Sequence, residues 1–413
     1  MTRYQTAVLE NGLRIIALPT ASPVVYCGYQ LNVGTANELP DEEGIAHFCE
    51  HVTFKGTTHR TAIDVIHCLE QVGGDLNAFT TKTDTVYYSA ILKDHLPRAI
   101  DLLTDIVFHS IYPQKEIDKE VEVICDEIES YNDSPAELIY DEFENIIFRG
   151  HPLGHSILGT AERVRKFTTE DALRFTKKHY RPMNSVFFAY GDIDFDNLIS
   201  LLEKENDCKV KVKGETEKPI EIPLPALSEY QPQTVKINKH THQAHAMIGN
   251  RAYSIHDKRR MALYLLNNIL GGPGMSARLN LALREHRGLV YTVDSSMMSY
   301  SLTGIWAIYF GCDADDLDEC MRLVRAELDH FIDTPLTDDE LAVAKQQIKG
   351  QIGIACDNRE NLALDFGKGF LHYGWKKDIS ALYRNIDAIT AEEVQAVARE
   401  LFSEERLTKL IYI

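Results

Sequence analysis

The five residues that decide the fold read His47-Phe48-Cys49-Glu50-His51. Histidines four residues apart lie on one face of a helix, and Glu50 borders that face. We expect this helix over Glu43–Lys55, ending before Gly56. Neutral imidazoles suit Zn²⁺, and an unligated carboxylate beside them can act as a general base on a water bound to the metal. The pattern H-x-x-E-H also occurs by chance on amphipathic helices, so it suggests a zinc site without establishing one.

A second helix, expected over Pro113–Tyr131, offers the third protein ligand that a catalytic zinc requires. Its apolar residues recur at helical spacing and are Ile117, Val121, Ile124, Ile128 and Tyr131. Glu120 and Glu127 are seven residues apart and border this apolar stripe, where an unpaired charge would be costly. A zinc ion would be a suitable partner for them. Because the helix carries many other acids, two surface glutamates are an equally good interpretation of the helix by itself.

The chain divides at a stretch, 211–233, that carries four prolines, several charges and little apolar periodicity. We expect a zinc-binding catalytic domain over 1–210, a linker over 211–233 and a related domain without zinc over 234–413. In the first half we expect a strand at Val24–Val33, a hairpin at Asp75–Leu92, and helices at Glu43–Lys55, Ala62–Val72, His95–His109 and Pro113–Tyr131. In the second half we expect strands at Ala244–Asn250, Leu289–Ser299 and Gly304–Cys312, and helices at Asp257–Leu270, Ser276–His286, Leu317–Ile332 and Asp338–Cys356. Strands followed by helices, twice over, predict an α+β protein of two structurally repeated domains, each a mixed β-sheet packed with helices.

The composition is that of a globular protein of 413 residues, with 44% hydrophobic and 25% charged residues. A formal net charge of −19 disfavours nucleic acid as a partner. The acidity either lines a cavity that attracts cationic substrates or forms a solvated surface. The eight cysteines include no C-x-x-C pair, so we expect reduced thiols. Since neither a signal-peptide pattern nor an apolar run long enough to span a membrane is present, we expect a soluble cytoplasmic protein.

With the motif and the two glutamates in place, the sequence resembles the pitrilysin-type inverted zinc metallopeptidases, which include insulin-degrading enzyme and the mitochondrial processing peptidases, and it is similar to their small bacterial two-domain members. In that family a zinc-binding glutamate follows the motif by about seventy-five residues, with another glutamate seven before it. Glu127 and Glu120 occupy these positions. The resemblance implies one zinc ion per chain on His47, His51 and Glu127, with Glu50 as general base and Glu120 supporting His51.

Further matches extend the resemblance over most of the chain. Residues 73–78, followed by Thr85-Val86-Tyr87-Tyr88, resemble the family's hairpin beside the zinc. The edge of that hairpin binds extended substrate as an added strand, which implies a substrate-binding role for Asn77 and Ala78. Arg284 and Tyr291, seven residues apart, match the family's arginine–tyrosine pair, which contacts the substrate backbone. Without the resemblance, turn residues and two structural side chains would be the preferred interpretation of these matches.

The resemblance implies a zinc metalloendopeptidase that acts on peptides or unfolded polypeptide segments inside a chamber. Two copies of the chain would form that chamber as a homodimer with shared active sites. The alternative is a non-catalytic or assisting subunit of a heteromeric processing peptidase. Such subunits usually lack a ligand or the base, whereas this chain has all of them.

A rival metal site is His240 with His242 and His245, although only the first two would share a face of a strand and no nearby acid completes the set. The helix expected at Asp257–Leu270 corresponds in position to the first-half zinc helix but carries no H-x-x-E-H. We therefore expect a single zinc site, in the first half.

Overall fold

The computed structural model describes residues 4–214, 219 and 224–413, and these form two compact units. Unit 1 comprises the described residues within 1–130, 155–226 and 355–378, and unit 2 comprises 131–154, 227–354 and 379–413. Each unit therefore includes a segment from the other half of the chain. The domain boundaries expected from the sequence stay a prediction, since 215–218 and 220–223 of the expected linker lie outside the described residues.

In the described part of the chain, the strands are β1 Gln5–Leu9, β2 Arg14–Pro19, β3 Val24–Leu31, β4 Asp75–Thr80, β5 Thr85–Leu92, β6 Ser185–Gly191, β7 Val210–Lys213, β8 Thr234–Ile237, β9 Gln243–Ala252, β10 Val290–Ser299, β11 Gly304–Asp313 and β12 Thr408–Tyr412. The α-helices are α1 Ile45–Thr53, α2 Ala62–Glu70, α3 Leu96–His109, α4 Gln114–Asn132, α5 Pro135–Ile147, α6 Ala161–Val164, α7 Thr169–His179, α8 Phe195–Glu205, α9 Arg260–Gly271, α10 Leu317–Asp333, α11 Asp338–Ala355, α12 Arg359–Tyr373, α13 Ile379–Ala388 and α14 Ala391–Leu401. None of the described helices is long and apolar enough to cross a membrane.

Unit 1 is built on a mixed sheet with the order β4-β5-β3-β6-β2-β1-β7, in which β2 and β6 run parallel and the other neighbours antiparallel. Successive side chains of β2 serve different cores, because a strand alternates its faces. Ile15 joins the core formed with α1, α3, α4 and α7, whereas Ile16 joins a second core formed with α12. Both faces of the sheet are thus covered.

Unit 2 repeats the same plan on a mixed sheet with the order β10-β11-β9-β12-β8. An edge hairpin is followed by two antiparallel neighbours and then by a parallel strand, as in unit 1. Helix α5 contacts β9, β11 and β12, where Tyr140 packs on Tyr309. Trp306 faces the other side of the sheet and packs on Phe402.

The predicted α+β class and the two repeated mixed sheets are confirmed. The helices and strands expected from the sequence are present with ends within a few residues, including the β4–β5 hairpin. The expected helix at Ser276–His286 is shorter and takes a π-helical form over Asn280–Glu285. The strand that was to carry His240 and His242 begins only at Gln243, so the alternation assumed for those two histidines is wrong.

Candidate metal centre

The helix that carries the sequence motif, α1, begins in an unusual way. Its first residue follows Gly44, whose φ of 95° lies in the left-handed region and which provides no side-chain cap. The buried carboxylate of Glu38 takes over this role, since its two oxygens accept hydrogen bonds from the backbone N–H of Gly44 at 2.9 Å and of Ala46 at 2.8 Å. A carboxylate at a helix N-terminus also interacts favourably with the helix dipole. The helix therefore begins two residues later than predicted. The hydrogen bonds with Glu38 fix the backbone of its first turn, directly before His47.

The structure brings His47, His51 and Glu127 together. The Nε2 atom of His47 lies 3.7 Å from one carboxylate oxygen of Glu127, and the Nε2 atom of His51 lies 3.2 Å from the other. The two imidazole rings lie one turn apart on α1, with their centroids 4.7 Å from each other. Glu127 comes from α4, two turns after Glu120. Helix α1 thus supplies two nitrogen donors, and α4 supplies an oxygen donor that faces both.

A second carboxylate fixes the orientation of His51. The Nδ1 atom of His51 lies 3.0 Å from an oxygen of Glu120, and the Lys55 ammonium lies 2.6 Å from the other oxygen. Burial opposes ionisation of Glu120, but the hydrogen bonds with His51 and Lys55 hold its pKa below the ordinary value. With Glu120 ionised, Nδ1 of His51 carries a proton and Nε2 is directed at Glu127. The sequence did not single out Lys55, although it lies one turn after His51.

The ionisation of the two histidines differs because their surroundings differ. Burial and the neighbouring His51 lower the pKa of His47 to about 4. Burial alone would also lower the pKa of His51, but the hydrogen bonds with Glu120 and Glu127 raise it to about 9. The hydrogen bond with His51 in turn lowers the pKa of Glu127. The surroundings of His47 therefore favour its neutral imidazole, whereas the carboxylates of Glu120 and Glu127 favour a positive charge on His51.

These donor atoms fit a zinc ion. His47, His51 and Glu127 offer donor atoms that all lie within 4.8 Å of one another, and they are the only such group of His, Cys, Asp and Glu among the residues the structure describes. Two ligands of a tetrahedral zinc lie about 3.4 Å apart, close to the 3.7 and 3.2 Å found between the histidine nitrogens and Glu127. Two imidazoles and one carboxylate with room for water are the donor set of many catalytic zinc sites.

Glu50 lies on the same helix but outside this group of donors. Its carboxylate accepts a hydrogen bond from the Thr80 hydroxyl at 2.5 Å, at the end of β4. Burial raises the pKa of Glu50, and the Thr80 hydrogen bond opposes that effect. The sequence did not predict a role for Thr80, because Thr80 is 30 residues away from Glu50 along the chain and contacts it only in the folded structure. The general-base assignment requires a carboxylate near the metal but not bound to it, and this geometry is compatible with it.

Strand β4 of the hairpin beside α1 is an edge strand of its sheet. In the described part of the chain β4 pairs only with β5, so its outer backbone groups are free to pair with an added strand. Asn77 pairs with Tyr88 and Ala78 with Tyr87 on the inner side. Asn77 is exposed and Ala78 is half-buried. Both residues lie on the strand where the family resemblance expects the substrate.

Arg284 and Tyr291 form a pair in unit 2. The Arg284 guanidinium lies 5.9 Å from the centre of the Tyr291 ring, which is within the range of a cation–π contact. Tyr291 stands at an irregularity of β10, between Val290 and Thr292, and it is 82% exposed. A large aromatic side chain so exposed is available to a ligand. The structure thus brings these two residues together, in a different compact unit from the His47 group.

The rival histidines do not assemble. Among the described residues His240, His242 and His245 form no group of metal-ligand geometry. The Nδ1 atom of buried His245 instead lies 2.9 Å from the Tyr309 hydroxyl. Cys49 is fully buried, and burial raises the pKa of its thiol well above the ordinary value, so a thiolate ligand is not expected there.

Known proteins provide an independent comparison. A model of the insulinase family, peptidase family M16, matches residues 15–161, and a model described as the peptidase M16 inactive domain matches residues 166–348. An uncharacterized zinc protease of Streptomyces coelicolor is 33% identical over 95% of this chain and 86% of its own length. An uncharacterized zinc protease of Bacillus subtilis is 32% identical over 97% of this chain and 96% of its own.

Solved structures share the fold. A protease from Helicobacter pylori superposes with a TM-score of 0.90 at 21% identity, covering 100% of both chains. A peptidase M16 inactive domain from Pseudomonas fluorescens superposes with a TM-score of 0.88 at 19% identity, covering 99% of this chain and 97% of that one. The chain thus has the two-domain fold of these structures, and it carries a His-His-Glu group that could hold a metal ion. The chain belongs to the insulinase family of peptidases, family M16, as a two-domain member of the bacterial type.

Proposed function

We propose that this chain is a zinc metalloendopeptidase that hydrolyses peptides or unfolded polypeptide segments. The observation that carries the proposal is one helix, α1, that presents two imidazoles to Glu127 and a separate carboxylate, Glu50, beside them. The zinc protease names of the relatives support it. The catalytic domain would be 1–210, with 234–413 as the related domain.

Each residue of the candidate metal centre has a separate role in this proposal. His47, His51 and Glu127 would hold one zinc ion per chain, while Glu120 keeps the proton of His51 on Nδ1 so that Nε2 faces the metal. When bound, zinc supplies Lewis acidity to a carbonyl and acidity to a water molecule. Glu50 accepts the proton of the attacking water and passes it to the leaving amine.

The open edge of β4 would hold the substrate as an added strand beside Glu50, with Asn77 and Ala78 in contact with it. Arg284 and Tyr291 would contact the substrate backbone from a second copy of the chain. We therefore also propose a homodimer with shared active sites, located in the cytoplasm. A two-fold dimer supplies two equivalent sites of this kind.

A non-catalytic subunit of a processing peptidase is the alternative function. It is the weaker proposal because, among the described residues, three donors lie within 4.8 Å of one another and a separate carboxylate, Glu50, lies on the helix that carries the two histidines.

The test combines metal content with turnover. The purified protein is expected to contain one zinc ion per chain and to cleave an internally quenched peptide. A chelator should abolish cleavage, and stoichiometric Zn²⁺ should restore it. A protein that binds zinc at this site but leaves a broad peptide library intact would favour the non-catalytic alternative. A protein that cleaves peptides without zinc would contradict the metal mechanism.

A further inference from the structure

The hydroxyl of Thr80 donates a hydrogen bond to the Oε2 atom of Glu50 at 2.5 Å. In the described part of the chain Thr80 is the one residue that hydrogen-bonds to this carboxylate. We infer that Thr80 is a positioning residue, which holds the Glu50 carboxylate in the orientation that proton transfer needs. The inference rests on the proposed function, in which Glu50 is the general base.

The backbone around Thr80 is held firmly. Thr80 is the last residue of β4 and pairs with Thr85 across the hairpin. The turn after it is closed by a hydrogen bond from the Thr81 N–H to the Asp84 carbonyl at 2.8 Å. The Thr81 carbonyl also accepts a hydrogen bond from the Thr35 N–H at 3.1 Å, so the turn is fixed to a second loop. The hydroxyl therefore approaches Glu50 from a backbone that has little freedom to move.

That loop comes so close because of a glycine. A Cβ atom on Gly34 would lie 2.3 Å from the Thr81 carbonyl oxygen, well inside van der Waals contact. The Ala36 N–H completes the contact with a hydrogen bond to the Lys82 carbonyl at 2.8 Å. The position of Thr80 is thus set by a packed contact between this loop and the hairpin.

The hydrogen bond from Thr80 makes the two carboxylate oxygens of Glu50 inequivalent. A carboxylate rotates broadly about its last side-chain torsion, so a neighbour is needed to select one orientation. Thr80 occupies Oε2 and leaves Oε1 to accept a proton from water. A hydrogen bond of about this geometry between a hydroxyl and a charged carboxylate is among the stronger ones in proteins. Loss of the hydroxyl should therefore misplace the base without affecting the donors that hold the metal.

The test compares Thr80→Val with Thr80→Ser. Valine keeps the size and the β-branch that suit a strand, but it has no hydroxyl. We expect Thr80→Val to lower kcat about tenfold to hundredfold, the range that corresponds to a lost hydrogen bond to a charged group. KM should change less than about twofold and the zinc content should stay at one per chain. Thr80→Ser, which keeps the hydroxyl, should retain most of the wild-type kcat.

Two controls separate positioning from general destabilisation. Thr176→Val removes a buried hydroxyl in the same unit, one that donates to the Ala172 carbonyl at 2.8 Å, and it should leave kcat within about twofold. In a Glu50→Gln background, Thr80→Val should have no further effect on kcat, since the group it positions is absent. Crystal structures of the zinc-free proteins provide a readout without activity. The Glu50 carboxylate should have one orientation in the wild type and several in Thr80→Val.

The outcomes distinguish this inference from the proposed function. An active wild type together with a Thr80→Val variant of unchanged kcat overturns the inference alone. The inference is also overturned if Thr80→Ser lowers kcat as much as Thr80→Val does, or if Thr176→Val lowers kcat to the same extent. A zinc-bound wild type without peptidase activity overturns the proposed function, and the inference falls with it.

Discussion

Glu50 and Glu127 are carboxylates beside the same pair of histidines, but their surroundings differ. Glu127 faces the Nε2 atoms of both imidazoles. Glu50 is partly buried, and its one hydrogen bond among the described residues comes from Thr80. Because the two carboxylates have different partners, their substitution should separate metal binding from proton transfer.

We expect Glu50→Gln to keep its zinc and to lose activity by several orders of magnitude, since the amide cannot accept the proton of the attacking water. Glu127→Gln and His51→Ala should instead lose zinc, because each removes a donor from a three-residue set. Metal analysis of each purified variant beside its rate of peptide cleavage measures both effects. Substantial activity in Glu50→Gln would contradict its role as the base.

At the residue scale, helical spacing is enough to predict which motif residues share a face. His47, His51, Glu120 and Glu127 could be named because each pair lies within one helix, where spacing determines neighbourhood. Pairing the two helices required the family resemblance, because spacing within a helix carries no information on its tertiary partner. Thr80 was missed for this reason, since it reaches Glu50 from a strand.

At the scale of elements, the β4–β5 hairpin is tied to α12 through one buried carboxylate. Asp84 lies in the hairpin turn with its side chain 1% exposed, 3.0 Å from the Lys368 ammonium and 3.4 Å from Nε2 of His372. Burial opposes its ionisation, but the charge of Lys368 and the hydrogen bond with His372 hold the pKa of Asp84 well below its usual range. Removal of this charge should loosen the hairpin that carries the open edge of β4.

We expect Asp84→Asn to lower the free energy of unfolding at pH 7 by about 2–3 kcal/mol. This is below the range for a fully buried pair because Lys368 is 43% exposed. The folded-state pKa lies below the unfolded value of about 3.9, so the stabilisation is present above that pH and is lost as the pH falls below it. Urea unfolding at pH 7 and between pH 3 and 4 measures the difference, which should shrink on acidification.

A matched control lies on the same hairpin. Asp75 is exposed at the start of β4, and Asp75→Asn should change stability by no more than about 0.5 kcal/mol at either pH. Equal effects of the two substitutions, or an Asp84→Asn effect that is independent of pH, would contradict the role of the buried ion pairs.

Elements with one exposed face or a clear helical period could be predicted, and several others could not. Strand β2 is buried on both faces, so it shows an apolar run without the alternation that identifies a strand. Helix α12 contacts β3 and β6 and packs its Phe366 on Phe188 of β6, although it belongs to the second half of the sequence. Such long-range packing leaves no periodic signal that assigns α12 to unit 1.

At the scale of the whole molecule, the charge offers a test of substrate preference. If part of the net charge of −19 lines the substrate chamber, lysine-rich peptides should have a several-fold higher kcat/KM than matched glutamate-rich peptides at low ionic strength. The preference should weaken as salt is added, because screening shortens the range of the field. An uncharged peptide of the same length is the control. Equal values of kcat/KM at low salt would assign the acidity to a solvated surface.

The proposed homodimer predicts that two inactive variants can complement each other. In the shared-site arrangement the His47, His51 and Glu127 group of one chain acts with Arg284 and Tyr291 of the partner. The structure places these two sets in different compact units of the chain, and Tyr291 is 82% exposed. Glu50→Gln disables the first set, and Arg284→Ala disables the second.

Mixing the two variants should therefore restore activity. A mixed dimer has one site with both lesions and one site with neither, and about half of the dimers are mixed after random reassortment. The mixture should then reach about a quarter of wild-type activity. The measurement is peptide turnover after subunit exchange, and a tag on one partner verifies that mixed dimers formed. The control is a mixture of Glu50→Gln with Glu127→Gln, because both substitutions affect the same set of residues.

The control mixture distinguishes complementation from a nonspecific effect of mixing. Glu50→Gln and Glu127→Gln damage the same set of residues, so every site in their mixture carries a lesion and activity should stay at the level of the parents. If Arg284 and Glu50 act within one chain, the first mixture behaves in the same way, because each site keeps the lesion of its own chain. If exchange is verified and the activity of the mixture does not exceed the average of the two parents, the shared site is contradicted. That result would not contradict the role of Glu50 as general base.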